Sequence, residues 1–251
     1  MNRPENPFVR TEILMGEHAL ERLAGSHVFV AGVGGVGGYV AENLARAGIG
    51  RLTLVDHDAV SPSNINRQLV ALHSTIGMAK VDVMAARIAD IAPGCRVTAL
   101  RQFIGREDAE ALLMQSGAGM LADCIDAIAC KAGLIHAAQR LNLPVYSSMG
   151  AGNRLDPGQV RIARLNQTHG CPLARELRGT LRQAGASLSL WAVYSPETPR
   201  PPAPRELPGN GPAGRAKTVN GTISYMPAIF GTLLAGSILR HLLADSPDST
   251  N

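Results

Sequence analysis

The residues best suited to chemistry stand in the first half of the chain. Gly32, Gly34, Gly35 and Gly37 fall within six positions. Asp56, Asp58, the run Asn64-Ile65-Asn66-Arg67-Gln68, Lys80 and Asp126 follow. Closely spaced glycines let a backbone approach phosphate with no Cβ in the way. The free N–H groups at a helix start then bind that phosphate. An acid at the end of the next strand is placed to accept hydrogen bonds from ribose hydroxyls, and Asp56 holds that place.

The glycine pattern alone is most often that of a nicotinamide-dependent dehydrogenase, whose cofactor pyrophosphate is largely satisfied by a helix N-terminus. A triphosphate with magnesium carries more charge. It calls for an arginine, a lysine and a carboxylate that holds the metal. Arg67, Lys80 and Asp126 are of those types. Taken singly, the two cations also read as solvated surface charges, and Asp126 as the N-cap of the helix that follows it. Strand alternation turns Asp123 to the opposite face.

These side chains need a sheet edge to gather them. The pattern predicts a strand over 28–31, a helix over 39–47 ended by Gly48, and a strand over 52–55, which is a first β-α-β unit. A helix over 78–91 follows, with Val81, Met84, Ala85 and Ile88 on one stripe and Pro93-Gly94 as its stop. Strands over 96–103, 120–125, 144–147 and 159–165 are expected, with helices over 107–114, 129–142 and 173–183. Asp126 would end the strand over 120–125, on the edge where such sheets bind ligands. An apolar helix over 227–243 closes the chain. The expected fold is α/β: a Rossmann-like, doubly wound, mostly parallel sheet with additional C-terminal strands and a C-terminal helix.

We expect a single domain over 1–251. It divides into an N-terminal arm (1–25), a nucleotide-binding core (26–152) and a C-terminal substrate and dimer half (153–244). The proline-rich stretch 195–220 cannot form a regular element and reads as a surface loop; its Arg200, Arg205, Arg215 and Lys217 are possible RNA contacts. The tail 245–251 is expected to be disordered.

Bulk composition narrows the class. A chain of 251 residues, 45% hydrophobic, can bury a full core. Four cysteines without a Cys-x-x-Cys pair argue against a zinc knuckle and suit a reducing, cytoplasmic setting. The polar start has no signal-peptide core, and the last apolar helix is short for a membrane span. A net charge of +4 permits nucleic-acid binding without demanding it, and only 4% of residues are aromatic, too few for an obvious stacking surface. Arg175, Arg178 and Arg182 share a helix face at spacings of three and four. With Arg161 and Arg164 they form the best candidate for an RNA-phosphate surface, or else a solvated face.

The glycine loop, Asp56, Asp58, Asn64-Ile65-Asn66-Arg67-Gln68, Lys80 and Asp123-Cys124-Ile125-Asp126 resemble the adenylating domain of the ubiquitin-activating superfamily. Further motifs resemble, within it, the tRNA threonylcarbamoyladenosine dehydratase family: Leu14-Met15-Gly16-Glu17, Leu72-His73-Ser74-Thr75-Ile76-Gly77, Ser147-Ser148-Met149-Gly150-Ala151-Gly152, Leu155-Asp156-Pro157 and Ile223-Ser224-Tyr225-Met226-Pro227-Ala228-Ile229-Phe230-Gly231. The likeness runs over nearly the whole chain.

The resemblance implies ATP-dependent cyclisation of threonylcarbamoyladenosine in tRNA. The threonyl carboxylate is adenylated, and the same side chain then closes a ring and expels AMP. It implies nucleotide binding by Gly32, Gly34, Gly35, Gly37, Asp56, Asp58, Asn64, Asn66, Arg67, Gln68 and Lys80. Magnesium would lie on Asp126, and Arg67, Lys80 and Arg10 would stabilise the departing pyrophosphate. Arg10 would do so across a homodimer. Whether a sulfur-transfer partner or a monovalent cation takes part is left open by the sequence. Two departures stand out: Thr168-His169-Gly170-Cys171-Pro172-Leu173 has Cys171 where the family has aspartate, and Asn153 replaces a usual glycine. The alternatives are activation of a ubiquitin-like or sulfur-carrier protein with Cys171 as acceptor, a non-catalytic nucleotide-binding subunit, and the dehydrogenase.

Overall fold

Alternation along the strands sorts the core onto two faces. In the computed structural model, which describes residues 6–201 and 220–244, seven strands form one sheet in the order β3-β2-β1-β4-β5-β7-β6. They are β1 (His27–Ala31), β2 (Arg51–Val55), β3 (Arg96–Leu100), β4 (Met120–Asp123), β5 (Val145–Ser148), β6 (Arg161–Arg164) and β7 (Trp191–Tyr194). All neighbours are parallel except β6 against β7. The direction of winding reverses between β1 and β4, which opens a crevice beyond their C-terminal ends.

Among the described residues, eight α-helices accompany the sheet: α1 (Val9–Met15), α2 (Glu17–Gly25), α3 (Gly37–Arg46), α4 (Lys80–Ile91), α5 (Ala109–Ser116), α6 (Ile128–Arg140), α7 (Pro172–Gln183) and α8 (Tyr225–Leu243). Val28 and Val30 of β1 pack with Leu44, Met84, Ile88, Phe230 and Leu234 on one face. Phe29 and Ala31 pack with Leu112, Leu134, Ile135 and Leu177 on the other. The period of two in the strand therefore supplies both layers from one five-residue stretch. The expected α/β doubly wound fold is the one observed.

Differences from the expected elements have local causes. β4 ends at Asp123, so Asp126 lies three residues beyond the strand and does not end it. β7 was not expected: it is four residues long and flanked by Gly185 and proline-rich sequence, and long-range pairing to β5 and β6 is what makes it a strand. α1 falls within the expected N-terminal arm, where no element was assigned before the helix at Glu17; it buries none of its residues.

The arginine face on α7 is divided. Arg178 donates from Nη1 to the carbonyl of Thr168 at 2.9 Å and so ties down a loop, while Arg175 and Arg182 stay exposed. Arg164 is also occupied, lying 4.1 Å from the centre of the Trp191 ring. Only a part of the expected RNA-phosphate surface thus remains free. The proline-rich stretch from 202 to 219, with Arg205, Arg215 and Lys217, and the tail 245–251 lie outside the described residues.

Helix α8 is long and apolar enough to meet the length and hydropathy criteria for a membrane span. Its inner face, Met226, Phe230, Leu234, Ala235 and Ile238, is buried against the core. Gly231 makes the close approach possible: a Cβ there would lie 2.5 Å from the Val36 carbonyl oxygen and 2.7 Å from Tyr39 Cβ. α8 is thereby pressed onto the start of α3, directly behind the glycine loop.

Candidate active site

The loop between β1 and α3 has room for a ligand only because it lacks side chains. Gly32 has φ 84°, and a Cβ at Gly37 would sit 1.7 Å from the Gly32 carbonyl oxygen. No larger residue fits that second position without moving the loop. A Cβ at Gly35 would meet Pro227 of α8 at 3.1 Å and Arg67 Cγ at 3.5 Å, so this turn is packed from behind and bordered by Arg67.

Asp56, one residue past β2, fixes the loop. Its Oδ2 accepts the N–H of Val33 at 2.7 Å, and its Oδ1 accepts the N–H of Asp58 at 2.9 Å. Each carboxylate oxygen keeps a lone pair that a ribose hydroxyl can use. Gln68 is buried beside Gly34, and its Oε1 has no hydrogen-bond partner. An orphaned acceptor at that point fits a nucleotide that brings its own N–H or O–H donor.

Lys80 opens α4, and its side chain is only 6% exposed; its Nζ donates to Asp58 Oδ2 at 2.6 Å. Burial pushes the Asp58 carboxyl up, but the Lys80 hydrogen bond and charge outweigh it, and its pKa is lowered overall. Arg67 is half-buried and anchored by Nη1 on the Ser63 carbonyl (2.9 Å) and on Asn66 Oδ1 (2.8 Å). Desolvation lowers its pKa, and the charge of Asp126 acts in the opposite sense. Asp126 is exposed in the loop after β4, near enough for its charge to be felt by Arg67. Asp126 does not cap α6: the N-cap is Ala127.

Two predicted residues bond to the fold itself. Asn64 is buried, and its Oδ1 accepts the Ser61 N–H at 3.1 Å, so it builds the turn that carries Arg67. Asn66 donates from Nδ2 to the Thr222 carbonyl at 2.9 Å, tying the same turn to the segment before α8.

Arg10 stands apart from the crevice. Phe8, next to α1, packs beside Gly48 beyond the C-terminal end of α3. A ten-residue helix is about 15 Å long, and the glycine loop is at its other end. Arg10 therefore has no short route to the cradle of its own chain.

Sequence reasoning set Asp123 aside, yet it organises the loop that bears Asp126. It is fully buried, and its Oδ2 accepts Ser147 Oγ at 2.6 Å and pairs with Lys131 Nζ at 2.7 Å. Lys131 Nζ also donates to the Ile125 carbonyl at 2.8 Å. The available signal was an acid ending an apolar strand, with a lysine eight residues later on a helix that packs beneath it.

Cys171 was expected in a loop where a thiol could react. It is 4% exposed at the N-cap of α7, which shields it from an approaching acyl group. Asn153 adopts φ 59°, the left-handed conformation that suits a glycine position and that asparagine tolerates. Among the described residues, Asp56, His57 and Asp58 also bring possible metal ligands within 4.8 Å of one another. Asp56 is committed to the loop and Asp58 to Lys80, which leaves Asp126 as the freer carboxylate.

Fold and cradle together define a doubly wound nucleotide-binding protein with a triphosphate-type set of charges at its switch point. The chain belongs to the ThiF family, whose model matches residues 9–251. It is 40% identical over 243 residues to the tRNA threonylcarbamoyladenosine dehydratase of Bacillus subtilis, covering 95% of each chain. It is 41% identical over 197 residues to the enzyme of that name from Escherichia coli, covering 76% of this chain and 73% of the relative. The crystal structure of E. coli tRNA N6-threonylcarbamoyladenosine dehydratase in complex with ATP superimposes with a TM-score of 0.83 at 36% identity, covering 95% of this chain and 94% of that one. The dehydrogenase reading of the glycine pattern is set aside by these findings.

Proposed function

We propose that this protein is an ATP-dependent tRNA threonylcarbamoyladenosine dehydratase, a single adenylating domain that cyclises the modified base by activating its threonyl carboxylate. The observation that carries the reading is the glycine cradle that Asp56 holds in shape, bordered by Arg67, whose guanidinium feels the charge of Asp126. A similarity that spans 95% of both chains to an enzyme of this name supports it.

A carboxylate cannot lose oxide. Its oxygen attacks the α-phosphorus of ATP, and the bond from that phosphorus to pyrophosphate breaks, which leaves a mixed anhydride. A nitrogen or oxygen of the same side chain then attacks the acyl carbon, loses its proton and expels AMP, which carries off the carboxylate oxygen, so that one water is lost against cleavage of the one α–β phosphate bond of ATP. The glycine loop and the N-terminus of α3 receive the phosphates, and Asp56 takes the ribose. Arg67 and Lys80 stabilise charge that grows on the departing pyrophosphate. Magnesium held by Asp126 would spread charge over the phosphates. Asp58 holds Lys80 in place, and Asn64 and Asn66 shape the turn that presents Arg67.

The working form in this reading is a cytoplasmic homodimer in which Arg10 reaches the partner's nucleotide. The exposed apolar residues of α1 support it: Val9, Ile13 and Leu14 are 48%, 81% and 82% exposed. A sulfur-transfer partner and a monovalent cation enter none of these steps. The burial of Cys171 weighs against activation of a carrier protein through a thiol acceptor.

The test is to incubate the protein with ATP, magnesium and tRNA bearing threonylcarbamoyladenosine, then digest the tRNA and weigh the nucleoside. Loss of one water, dependent on ATP and on Asp126, is expected. An unchanged mass, with pyrophosphate exchange appearing only when a carrier protein is added, would overturn the reading.

A further inference from the structure

The ion pair beneath the loop of Asp126 is enclosed at both ends. Asp123 and Lys131 are each 0% exposed, with Lys131 Nζ 2.7 Å from Asp123 Oδ2. Asp123 ends β4, and Lys131 stands in the first turn of α6.

Stability alone gives little reason for this arrangement. The cost of taking two charges out of water can match or exceed their attraction. Apolar side chains of similar size often hold a fold as well or better. A cation in the first turn of a helix also meets the positive end of the helix dipole. The pairs Lys80–Asp58 and Arg87–Glu42, by contrast, each keep one partner well exposed.

What apolar side chains cannot supply is hydrogen bonds, and those of this pair converge on one residue. Asp123 Oδ1 accepts the Ile125 N–H at 3.2 Å, and Lys131 Nζ donates to the Ile125 carbonyl at 2.8 Å. Both backbone polar groups of the residue before Asp126 are therefore held. The Ile125 carbonyl lies in the planar peptide unit that also contains the nitrogen and Cα of Asp126. Fixing that carbonyl fixes the plane from which the Asp126 side chain springs.

The clamp is built into the cradle on one side and into the next strand on the other. Cys124, between Asp123 and Ile125, donates its N–H to the Ala31 carbonyl at 2.8 Å. Its carbonyl oxygen lies 3.1 Å from the point where a Gly32 Cβ would stand, and its Cβ 3.2 Å from that of Gly37. Ser147 stands in register with Asp123 on β5, and its Oγ donates to Asp123 Oδ2 at 2.6 Å. The glycine loop, the Asp126 loop and the end of β5 are thus joined through one buried pair.

We propose that Lys131 is a positioning residue for adenylation: it holds the peptide plane between Ile125 and Asp126 and so fixes the Asp126 carboxylate relative to the glycine cradle. The proposal rests on the role of Asp126 in the dehydratase reading. Asp123 offsets the burial of the ammonium and holds the other side of Ile125. Lys131 touches neither nucleotide nor tRNA, takes no proton and forms no bond.

The experiment replaces the two charges together in the full-length protein. Asp123→Asn combined with Lys131→Met leaves no charge buried alone, and the asparagine keeps an acceptor for the Ile125 N–H. Single-turnover rates, the KM for ATP and the melting temperature are measured for this neutral pair, for Asp126→Asn and for the triple variant. The neutral pair should lower the rate about ten-fold or more, since a misplacement of about 1 Å can cost about a hundred-fold. Its KM for ATP and melting temperature should stay close to those of the wild type. In the Asp126→Asn background the same replacement should lower the rate less than about two-fold, because a residue that acts through another is not additive with it.

Full activity of the neutral pair would overturn the proposal, as would equal losses in the two backgrounds. A lower rate matched by a raised KM for ATP and a lowered melting temperature would make the pair structural only. If the wild type does not dehydrate the tRNA, the dehydratase reading fails by itself. The clamp is then judged by amide hydrogen exchange of Ile125, which should be slow in the wild type and in Asp126→Asn and about ten-fold faster or more in the neutral pair. Equal exchange in all three would overturn it.

Discussion

At the residue scale the site depends on charges whose partners are known. Asp126 is exposed, and its charge acts on Arg67. Asp126→Asn should therefore leave the melting temperature almost unchanged, since exposed substitutions typically shift stability by no more than about 0.5 kcal/mol. Its kcat should fall about a hundred-fold or more, the scale of losing one electrostatic contact to a transition state. Thermal melts beside single-turnover assays check this; a stable variant with full activity would remove Asp126 from the chemistry. Lys80 differs in kind. It is buried against Asp58, so its removal would leave that carboxylate without its partner, and stability and activity would fall together.

At the scale of elements, the strand that delivers the glycine loop carries a titrating group at its start. His27 Nε2 lies 2.9 Å from Thr53 Oγ1 on β2. Burial first, and then the charge of Arg51, lower its pKa below 6.5, against a small raising effect of the Gly117 backbone. The native state thus binds fewer protons than the unfolded chain below pH 6.5, and stability must fall as the pH drops through that window. Replacing His27 with Asn should flatten the decline of melting temperature below pH 6.5, as measured by calorimetry in a pH series. An unaltered slope would show that other groups carry it. Glu42, held below its usual range, contributes only nearer the ordinary glutamate value of 4.5: burial raises it, and the hydrogen bonds of Arg87 and Arg46 more than reverse that.

At the scale of the whole molecule, the decisive question is whether Arg10 serves its own site. It lies on α1 near the far end of α3, and α1 leaves Ile13 and Leu14 largely uncovered. If a second copy covers α1, Arg10→Ala and Asp126→Asn damage different halves of one composite site. Co-expression of the two inactive variants should then restore about a quarter of wild-type activity, from the one intact site in each mixed dimer. Activity counted against the dimer fraction by sedimentation checks this. Mixed dimers without recovered activity would place Arg10 outside the catalytic apparatus.

Much of this molecule was legible in the amino-acid order because its signals are local. Gly32 to Gly37 with Asp56, and the apolar periods of β1, β2 and α4, depend on sterics and burial over a few residues, and their elements stand within a few positions of expectation. Arg67, Lys80 and Asp126 were legible as residue types on a known sheet edge. What tertiary structure alone decided are the contacts that join distant segments. β7 exists through pairing with β5 and β6. Asp123 was misjudged because strand alternation says which face a side chain takes, and not that Lys131 and Ser147 will meet it there. Arg178 and Arg164 looked like free surface charge until the fold gave them Thr168 and Trp191.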